Sequence, residues 1–283
     1  MLFLKVVYII DMKLAFYIGK DSEEHNSRVG ELFKTLRDAG VQLYELAYGE
    51  APSADTDMLV SVGGDGTFLY SSKLVIDSGI PVVGVNVGRV GFLSENRPGD
   101  VADALLKGEY TIENRSILKV CATPSVSSDP MWDYALNEIT VHRTGAAMLG
   151  VDVDLDGVQL PTYWADGLVV STSSGSTAYS LSVGGPIVLP ESKVLIIAPI
   201  APHNLNIRPL VVPDSSVLTL KMHSRDGKFA ITADNRTVEV CEDVELTINV
   251  AQFSLRRVRL NRSNFITALT EKLHWGEDVR NIR

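Results

Sequence analysis

The sequence predicts an α/β domain on a parallel sheet, followed by an all-β domain of the sandwich or barrel type. Three observations predict it. Strand and helix signals alternate down the first part of the chain, the texture changes to short alternating runs near Thr111, and two glycine-rich turns interrupt apolar strands before that change. Alternating β and α segments build parallel sheets covered by helices, whereas successive short strands build antiparallel sandwiches or barrels.

The elements follow in order. Leu14–Ile18 reads as a first strand. A helix is expected from Ser27 to Ala39, where Val29, Leu32, Phe33 and Leu36 recur at helical spacing. Gly40 stops it, and Val41–Tyr44 opens a second strand. Met58–Val62 reads as a buried third strand that breaks into Gly63-Gly64-Asp65-Gly66-Thr67 and then into a helix running through Phe68, Leu69 and Tyr70 to Ile76. Ile80–Asn86 is the fourth, fully buried strand. Ligands of such sheets sit beyond the carboxyl ends of the strands, where both glycine turns fall. From Leu118 to about Leu260 the alternating runs include Val151–Leu155, Val217–Leu220, Phe229–Thr232 and Val244–Ile248. Turn signals at Asp156-Gly157, Arg225-Asp226-Gly227 and Ala233-Asp234-Asn235 separate them. The stretch Ser263 to Trp275 carries Phe265, Ile266, Leu269 and Leu273, the pattern of an amphipathic helix with Ser263 as its candidate cap.

Composition narrows the class. With 283 residues, 45% of them apolar and 22% charged, the chain can bury a full core in one large or two ordinary domains. Its net charge of −9 argues against a nucleic-acid or acidic-membrane partner. Arg256-Arg257-Val258-Arg259 is its longest basic cluster and reads as a solvated strand edge, with a local anion site as the alternative. Cys121 and Cys241 are not in metal-type spacing and are expected as buried, reduced thiols of a cytoplasmic protein. No run approaches the roughly 20 apolar residues of a membrane span. Residues 1–10 look faintly like a signal peptide, but Asp11 cuts the apolar run short; Met12 is the expected native start, with 1–11 as an upstream extension.

Four segments carry chemistry. A strand that breaks into glycines and opens a helix presents bare N–H groups and a positive dipole end, which suit phosphate. The carboxylate of Asp65 in the middle is awkward there unless it takes a proton or holds a metal beside phosphates, which points to phosphoryl transfer with Asp65 in acid–base work. The bland alternative is a tight turn with a capping Asp. Gly84-Val85-Asn86-Val87-Gly88-Arg89-Val90-Gly91-Phe92-Leu93 lacks dinucleotide-fingerprint spacing and reads as a second backbone wall of the same cleft. Asn137-Glu138 offers a fork of donors and acceptors suited to ribose hydroxyls or a base edge. Asp166 to Pro186 holds eight Ser or Thr residues between Ser171 and Ser182, which with its glycines lets the chain crowd a polar ligand. Asp152, Asp154 and Asp156 open like a calcium loop, but Tyr163 stands where the last ligand should be, so strand alternation explains them. There is no Walker A sequence and no histidine ligand spacing.

With these segments in view, the chain resembles the NAD kinases. The resemblance rests on Gly63–Thr67, Gly84–Leu93, Asn137-Glu138, Asp166–Pro186, Ala198–His203 and Arg208-Pro209-Leu210, in family order over most of the chain. It implies transfer of the γ-phosphoryl group of ATP, or of another donor, to the 2′-hydroxyl of the adenosine ribose of NAD, with Mg²⁺ carried on the triphosphate. It implies an α/β nucleotide-binding domain over 1–115, completed by a returning C-terminal helix over 261–283. It also implies an all-β NAD-binding and oligomerisation domain over 116–260, and a homo-oligomer, dimer or tetramer. Asp65 matches the catalytic Asp and Gly66 its neighbour against the ligand. Asn137, Glu138 and Asp166 match NAD-contacting residues, and Ser174, Thr177, Ala178, Tyr179, Ser180, Leu181 and Ser182 match the wall around the dinucleotide; no metal ligand carries over.

Two departures stand out. Asp234-Asn235-Arg236 replaces a common Asp-Gly-Gln, so Arg236 could alter discrimination or feedback. Trp164 replaces a basic residue two positions before Asp166, where it would stack on a base or pack at an interface. The rival readings are a diacylglycerol-type lipid kinase sharing the glycine-Asp turn, and a silent dinucleotide sensor.

Overall fold

The computed structural model describes residues 12–20, 26–88, 91–241 and 243–276; the expected extension at 1–11, and Arg89 and Val90 of the second glycine run, lie outside them. Packing divides the chain into two units, one reaching to Asn114 and resuming at Leu255, the other Arg115–Ser254.

The first unit contains β1 (Lys13–Ile18), α1 (Asn26–Asp38), β2 (Gln42–Glu45), β3 (Met58–Val62), α2 (Asp65–Leu74), β4 (Val82–Val85), α3 (Pro98–Lys107) and the start of β5 (Tyr110–Thr123). β2, β1, β3 and β4 lie side by side and parallel. Every residue of β3 and β4 is buried, as expected of parallel strands covered on both faces. Leu32 and Leu36 of α1, and Val101 and Leu105 of α3, pack with Leu14, Val60 and Val83 of the strands. Each such buried side chain contributes about 1.5–3 kcal/mol relative to exposure. Because the strands are parallel, their carboxyl ends lie at one edge, which places Gly19, Gly63 and Asn86 together there.

The second unit continues with β6 (Tyr134–Ala135), β7 (Glu138–Arg143), β8 (Leu149–Leu155), β9 (Val158–Gln159), β10 (Tyr163–Ala165), β11 (Gly167–Thr172), the single turn α4 (Tyr179–Ser182), β12 (Val194–Ile200), β13 (Leu210–Pro213), β14 (Leu218–Ser224), β15 (Lys228–Ala233), β16 (Arg236–Cys241) and the first part of β17 (Glu245–Leu260). Six strands form an antiparallel sheet in the order β13-β12-β11-β7-β15-β16. A second antiparallel array runs β10-β8-β14-β17. Leu168, Val170, Leu195 and Ile197 of the first sheet meet Val151, Val153, Leu220 and Leu246 of the second in one core, which makes this unit a sandwich. Val169, Ile196 and Ala198 point the other way, and Tyr179 and Val183 of the serine-rich segment, with Val188 just after it, cover them.

β17 is sixteen residues long, and its far end rejoins the first unit, pairing parallel to β4 at Arg257↔Val82. The chain therefore changes unit inside β5 and β17, at 114/115 and 254/255. No turn marks either point; the first lies one residue from the expected 115/116 and the second six residues before the expected 260/261. The chain closes with α5 (Phe265–Leu273) in the first unit.

Several expectations are corrected. Asn264 caps α5, its Oδ1 accepting the Ile266 N–H at 2.9 Å, while the Ser263 hydroxyl donates to Asn96 Oδ1 at 3.2 Å. α2 begins at Asp65 itself, not at Phe68. Both cysteines are exposed, because Cys121 and Cys241 fall on the outward positions of β5 and β16. Of the arginine run only Arg256 is exposed as a solvated edge would be. Arg257 lies in the buried part of the sheet beside β4, its side chain 4% exposed, 2.6 Å from Glu95 and 3.4 Å from Glu113. Arg259, two residues on and on the same face, pairs with Glu113 at 3.0 Å. Breaking such a pair leaves a buried carboxylate without its counter-charge, so Arg257→Met is expected to cost about 3–5 kcal/mol in urea unfolding. A loss below about 1 kcal/mol would show the pair to be effectively solvated.

Candidate active site

In the first unit the turn Gly63–Thr67 is built by close approach. Gly63 has φ of +150°, and a Cβ there would lie 2.3 Å from Thr67 Oγ1, so no other residue fits. α2 then opens at Asp65, with Gly64 as a cap that supplies no side chain. The Asp65 carboxylate does not cap its own helix. Oδ2 accepts the N–H of Phe92 at 2.8 Å, and Oδ1 accepts those of Leu93 and Ser94 at 3.0 and 2.9 Å. Three successive amides pointing inward form an anion-binding nest, closed by the Gly91 N–H donating to the Ser94 carbonyl at 3.0 Å. Gly91 is required for this seat, since a Cβ would come within 1.8 Å of Asp65 Oδ1. The two glycine-rich segments are thus bound to each other through one carboxylate. A carboxylate offers about four lone-pair positions, so three amides leave one free on Oδ2. Gly66, next along α2, is exposed.

The remaining sequence-predicted residues belong to the second unit. Asn137 and Glu138 lie at the start of β7, both buried. Their backbone is pinned by Asp234, which stands at φ of 51° and accepts the N–H groups of Leu136, Asn137 and Glu138 at 2.9, 2.8 and 3.2 Å. The Asn137 carbonyl in turn accepts the Thr172 N–H at 2.9 Å and the Ser171 hydroxyl at 3.2 Å. This binds the start of β7 to the end of β11.

The hydroxyls of the serine-rich segment sort into two groups. Thr172 donates to the Leu136 carbonyl at 2.7 Å, Ser173 to Pro190 at 2.9 Å and Ser176 to Val188 at 3.1 Å, so these fasten the segment to itself and to β7. Ser174 Oγ and Ser180 Oγ are buried and make no hydrogen bond among the described residues. Neither do Asn137 Oδ1 and Glu138 Oε2. Burying a polar atom without a partner costs about 1–3 kcal/mol, so four of them drawn from one predicted set mark where a polar ligand would be held. Thr177, Ala178, Tyr179 and Leu181 are half-buried and Ser182 is exposed.

Asp166 has a partner the sequence did not disclose. Arg143 Nε lies 2.6 Å from Oδ1 and Nη2 3.4 Å from Oδ2, and this guanidinium holds the carboxyl below the usual carboxylate range. The adjacent His142 meets the Tyr179 hydroxyl at 2.9 Å, with the rings nearly parallel. The antiparallel register Gly167↔His142 brings these residues together, and only strand pairing reveals it. Arg236 is spent on main-chain carbonyls of Met131, Ala233 and Tyr134, so in this chain it clamps the segment before β6. Trp164 is 44% exposed and lies over Gly150 across the β10–β8 pair. The three aspartates of the calcium-like run are taken up locally: Asp152 by Thr162 and His223, Asp154 by the Gly157 N–H, Asp156 by the Val217 N–H. Among the described residues no three His, Cys, Asp or Glu side chains gather as a metal site, and no helix is long and apolar enough to cross a membrane.

Comparison with known proteins agrees along most of the chain. Residues 22–110 match the ATP-NAD kinase N-terminal domain and residues 136–260 the ATP-NAD kinase C-terminal domain. An NAD kinase of Flavobacterium psychrophilum is 43% identical over 229 residues, 80% of this chain and 78% of the relative. One from Porphyromonas gingivalis is 39% identical over 290 residues, covering 95% of this chain and 99% of its own. The crystal structure of an NAD kinase from Archaeoglobus fulgidus in complex with ATP aligns with a TM-score of 0.75 at 28% identity, over 93% of this chain and 99% of that one. A yeast NADH kinase complexed with NADH shares the fold, with a TM-score of 0.82 at 22% identity over 96% and 90% of the two chains.

Burial, and then the Asp234 carboxylate nearby, push Glu138 up from 4.5 to about 8. The folded chain therefore keeps a proton that the unfolded chain has lost, and stability falls as pH rises through that window. At about 1.4 kcal/mol per unit the loss is a few kcal/mol. Glu138→Gln is expected to abolish this slope and to be the more stable protein at about pH 9, read by urea melts there and at about pH 5. Equal slopes in the two proteins would place the charge of Glu138 in solvent.

Proposed function

The chain belongs to the NAD kinase family and phosphorylates NAD to NADP, and from that premise we propose that Asp65 is its general base and that ATP, with Mg²⁺ on its phosphates, is its donor. The observation that carries the reading is the set of buried polar atoms without partners on Asn137, Glu138, Ser174 and Ser180. Sugar hydroxyls and a carboxamide or base edge complement such atoms; an acyl chain does not, which disfavours a lipid substrate.

In the proposed step the 2′-oxygen of the adenosine ribose attacks the γ-phosphorus. The bond from that phosphorus to the β–γ bridging oxygen breaks, and ADP leaves with the electron pair. The ribose proton goes to the free lone pair on Asp65 Oδ2. A ribose hydroxyl is a weak nucleophile, so a carboxylate already oriented by three amides gives it a fixed acceptor without rearrangement at the moment of reaction. Gly66, with no side chain, lets ligand approach the start of α2. Asn137, Glu138, Asp166 and the segment Ser174 to Ser182, including Thr177, Ala178, Tyr179 and Leu181, are proposed to hold the dinucleotide. Positioning of this kind supplies much of the rate in phosphoryl transfer. Mg²⁺ carried on the donor would offset the charge that develops on the transferred group. A silent sensor could keep Asp65 to seat the amides of residues 92–94, so turnover rather than binding separates the two readings.

The reading also places the protein in the cytoplasm, with its cysteines reduced, and as a homo-oligomer, dimer or tetramer. The exposed Leu189, Leu205, Leu210 and Val211 of the second unit are candidates for the surface such an assembly covers.

Purified protein given NAD and Mg·ATP is expected to form NADP, read by an NADP-specific dehydrogenase. Asp65→Asn is expected to bind NAD but lose about 10²–10⁴-fold in kcat. Near-native kcat in that variant would remove Asp65 from the chemistry, and NAD binding without turnover in the wild type would favour the sensor.

A further inference from the structure

The seat of Asp65 is itself held from outside, by a helix that none of the catalytic motifs includes. The Lys272 ammonium of α5 donates to the carbonyl of Gly91, the residue that closes the amide nest, and lies 4.4 Å from the centre of the Phe92 ring. Phe265 of the same helix packs its ring against Phe92 at 6.3 Å. Residues seven apart stand two turns apart on one helix face, so Phe265 and Lys272 meet the loop together. Phe92 is the residue whose N–H reaches Asp65 Oδ2, the oxygen that keeps a free lone pair. All these residues belong to the first unit.

We propose that Lys272, supported by Phe265, is a positioning residue for phosphoryl transfer, fixing from the C-terminal helix the three amides that aim Asp65. An ammonium hydrogen-bonded to a carbonyl and set over an aromatic ring is a stronger tether than either contact alone, the more so when half-buried. Holding the Gly91 carbonyl fixes the peptide plane that leads into Phe92, and hence the direction of the first of the three donors. Finally, burial holds the ammonium below its usual range while the carboxylates of Glu95 and Asp65 act in the opposite sense, so the charge is matched to its surroundings rather than solvated. Arg257 anchors the same loop further along, its Nη2 lying 3.3 Å from the Leu93 carbonyl and 2.6 Å from Glu95. Lys272 is the one of these cations that acts at the closing residue of the nest.

The inference rests on Asp65 as the base, and the test separates the two. Lys272→Met, Lys272→Arg, Asp65→Asn and the Lys272→Met/Asp65→Asn double variant are assayed for NADP formation with Mg·ATP, with melting curves alongside. The expected result is a fall in kcat of about 10- to 100-fold in Lys272→Met, with KM for NAD and for ATP within about twofold of wild type. Lys272→Arg should recover most of the loss, and Lys272→Met should have no further effect in the Asp65→Asn background. Near-native kcat in Lys272→Met, a loss carried by KM alone, or the same loss in both backgrounds would each overturn the proposal. Should Lys272→Met fail to fold, the cycle is run with Phe265→Leu, which loosens the grip on Phe92 and keeps the ammonium; the same split is expected, and its absence is equally decisive. Near-native turnover in Asp65→Asn alone would end the base assignment, whereas an impaired Asp65→Asn beside a normal Lys272→Met would end only this one.

Discussion

The Asp65 carboxylate and the three amides it gathers are the constraint on which the first unit's site depends. Backbone N–H groups without partners are expensive to bury, and a loop that turns three of them inward favours an anion at its centre. Asp65 is that anion, delivered by a helix whose first residue it is. The requirement propagates outward. Gly91 must lack a side chain to leave room for the carboxylate, Gly63 must adopt a conformation other residues avoid, and Asn96 ties the loop back to β4 by donating to the Gly84 carbonyl at 2.8 Å. Arg257 and Lys272 then secure the loop from two further elements.

The second unit repeats the device with different parts. Asp234, at the tip of the β15–β16 hairpin, gathers the amides of Leu136, Asn137 and Glu138, and so sets the start of β7. There the carboxylate serves the scaffold, and its neighbours' side chains are the ones left unpartnered. Burial raises Asp234, while the three amides and the Arg236 guanidinium pull it down. Glu138, beside it, has weaker compensation, and burial carries it up to about 8. The serine-rich segment follows the same economy. Some hydroxyls are consumed in holding its shape, and two are left in the interior facing no protein partner.

Much of this was legible in the sequence, and the parts that were not share a cause. The parallel sheet, the sandwich and the two glycine turns follow from hydrophobic periodicity and from glycines after apolar strands. Both cysteines and the arginine run were misread through the same omission. Burial in a strand is decided by its neighbours: Cys121 and Cys241 fell on outward positions, and Arg257 was drawn inward because its end of β17 lies beside β4 with Glu95 and Glu113 at hand. The cap of α5 moved by one residue because the Ser263 hydroxyl was already engaged with Asn96.

The sequence by itself determined the fold class, the order of the elements and the residues on which chemistry could rest, because short-range pattern and residue type carry that information. Asp65, Asn137-Glu138, Asp166 and the Ser/Thr-rich segment could all be singled out from the chain alone. Only the tertiary structure decided what each of them does to its neighbours. That Asp65 faces the amides of residues 92–94, that Arg143 meets Asp166, and that Lys272 closes on Gly91 are matters of register and of a helix returning over 170 residues later. Hydrogen bonds are satisfied in space, over separations that no local pattern records.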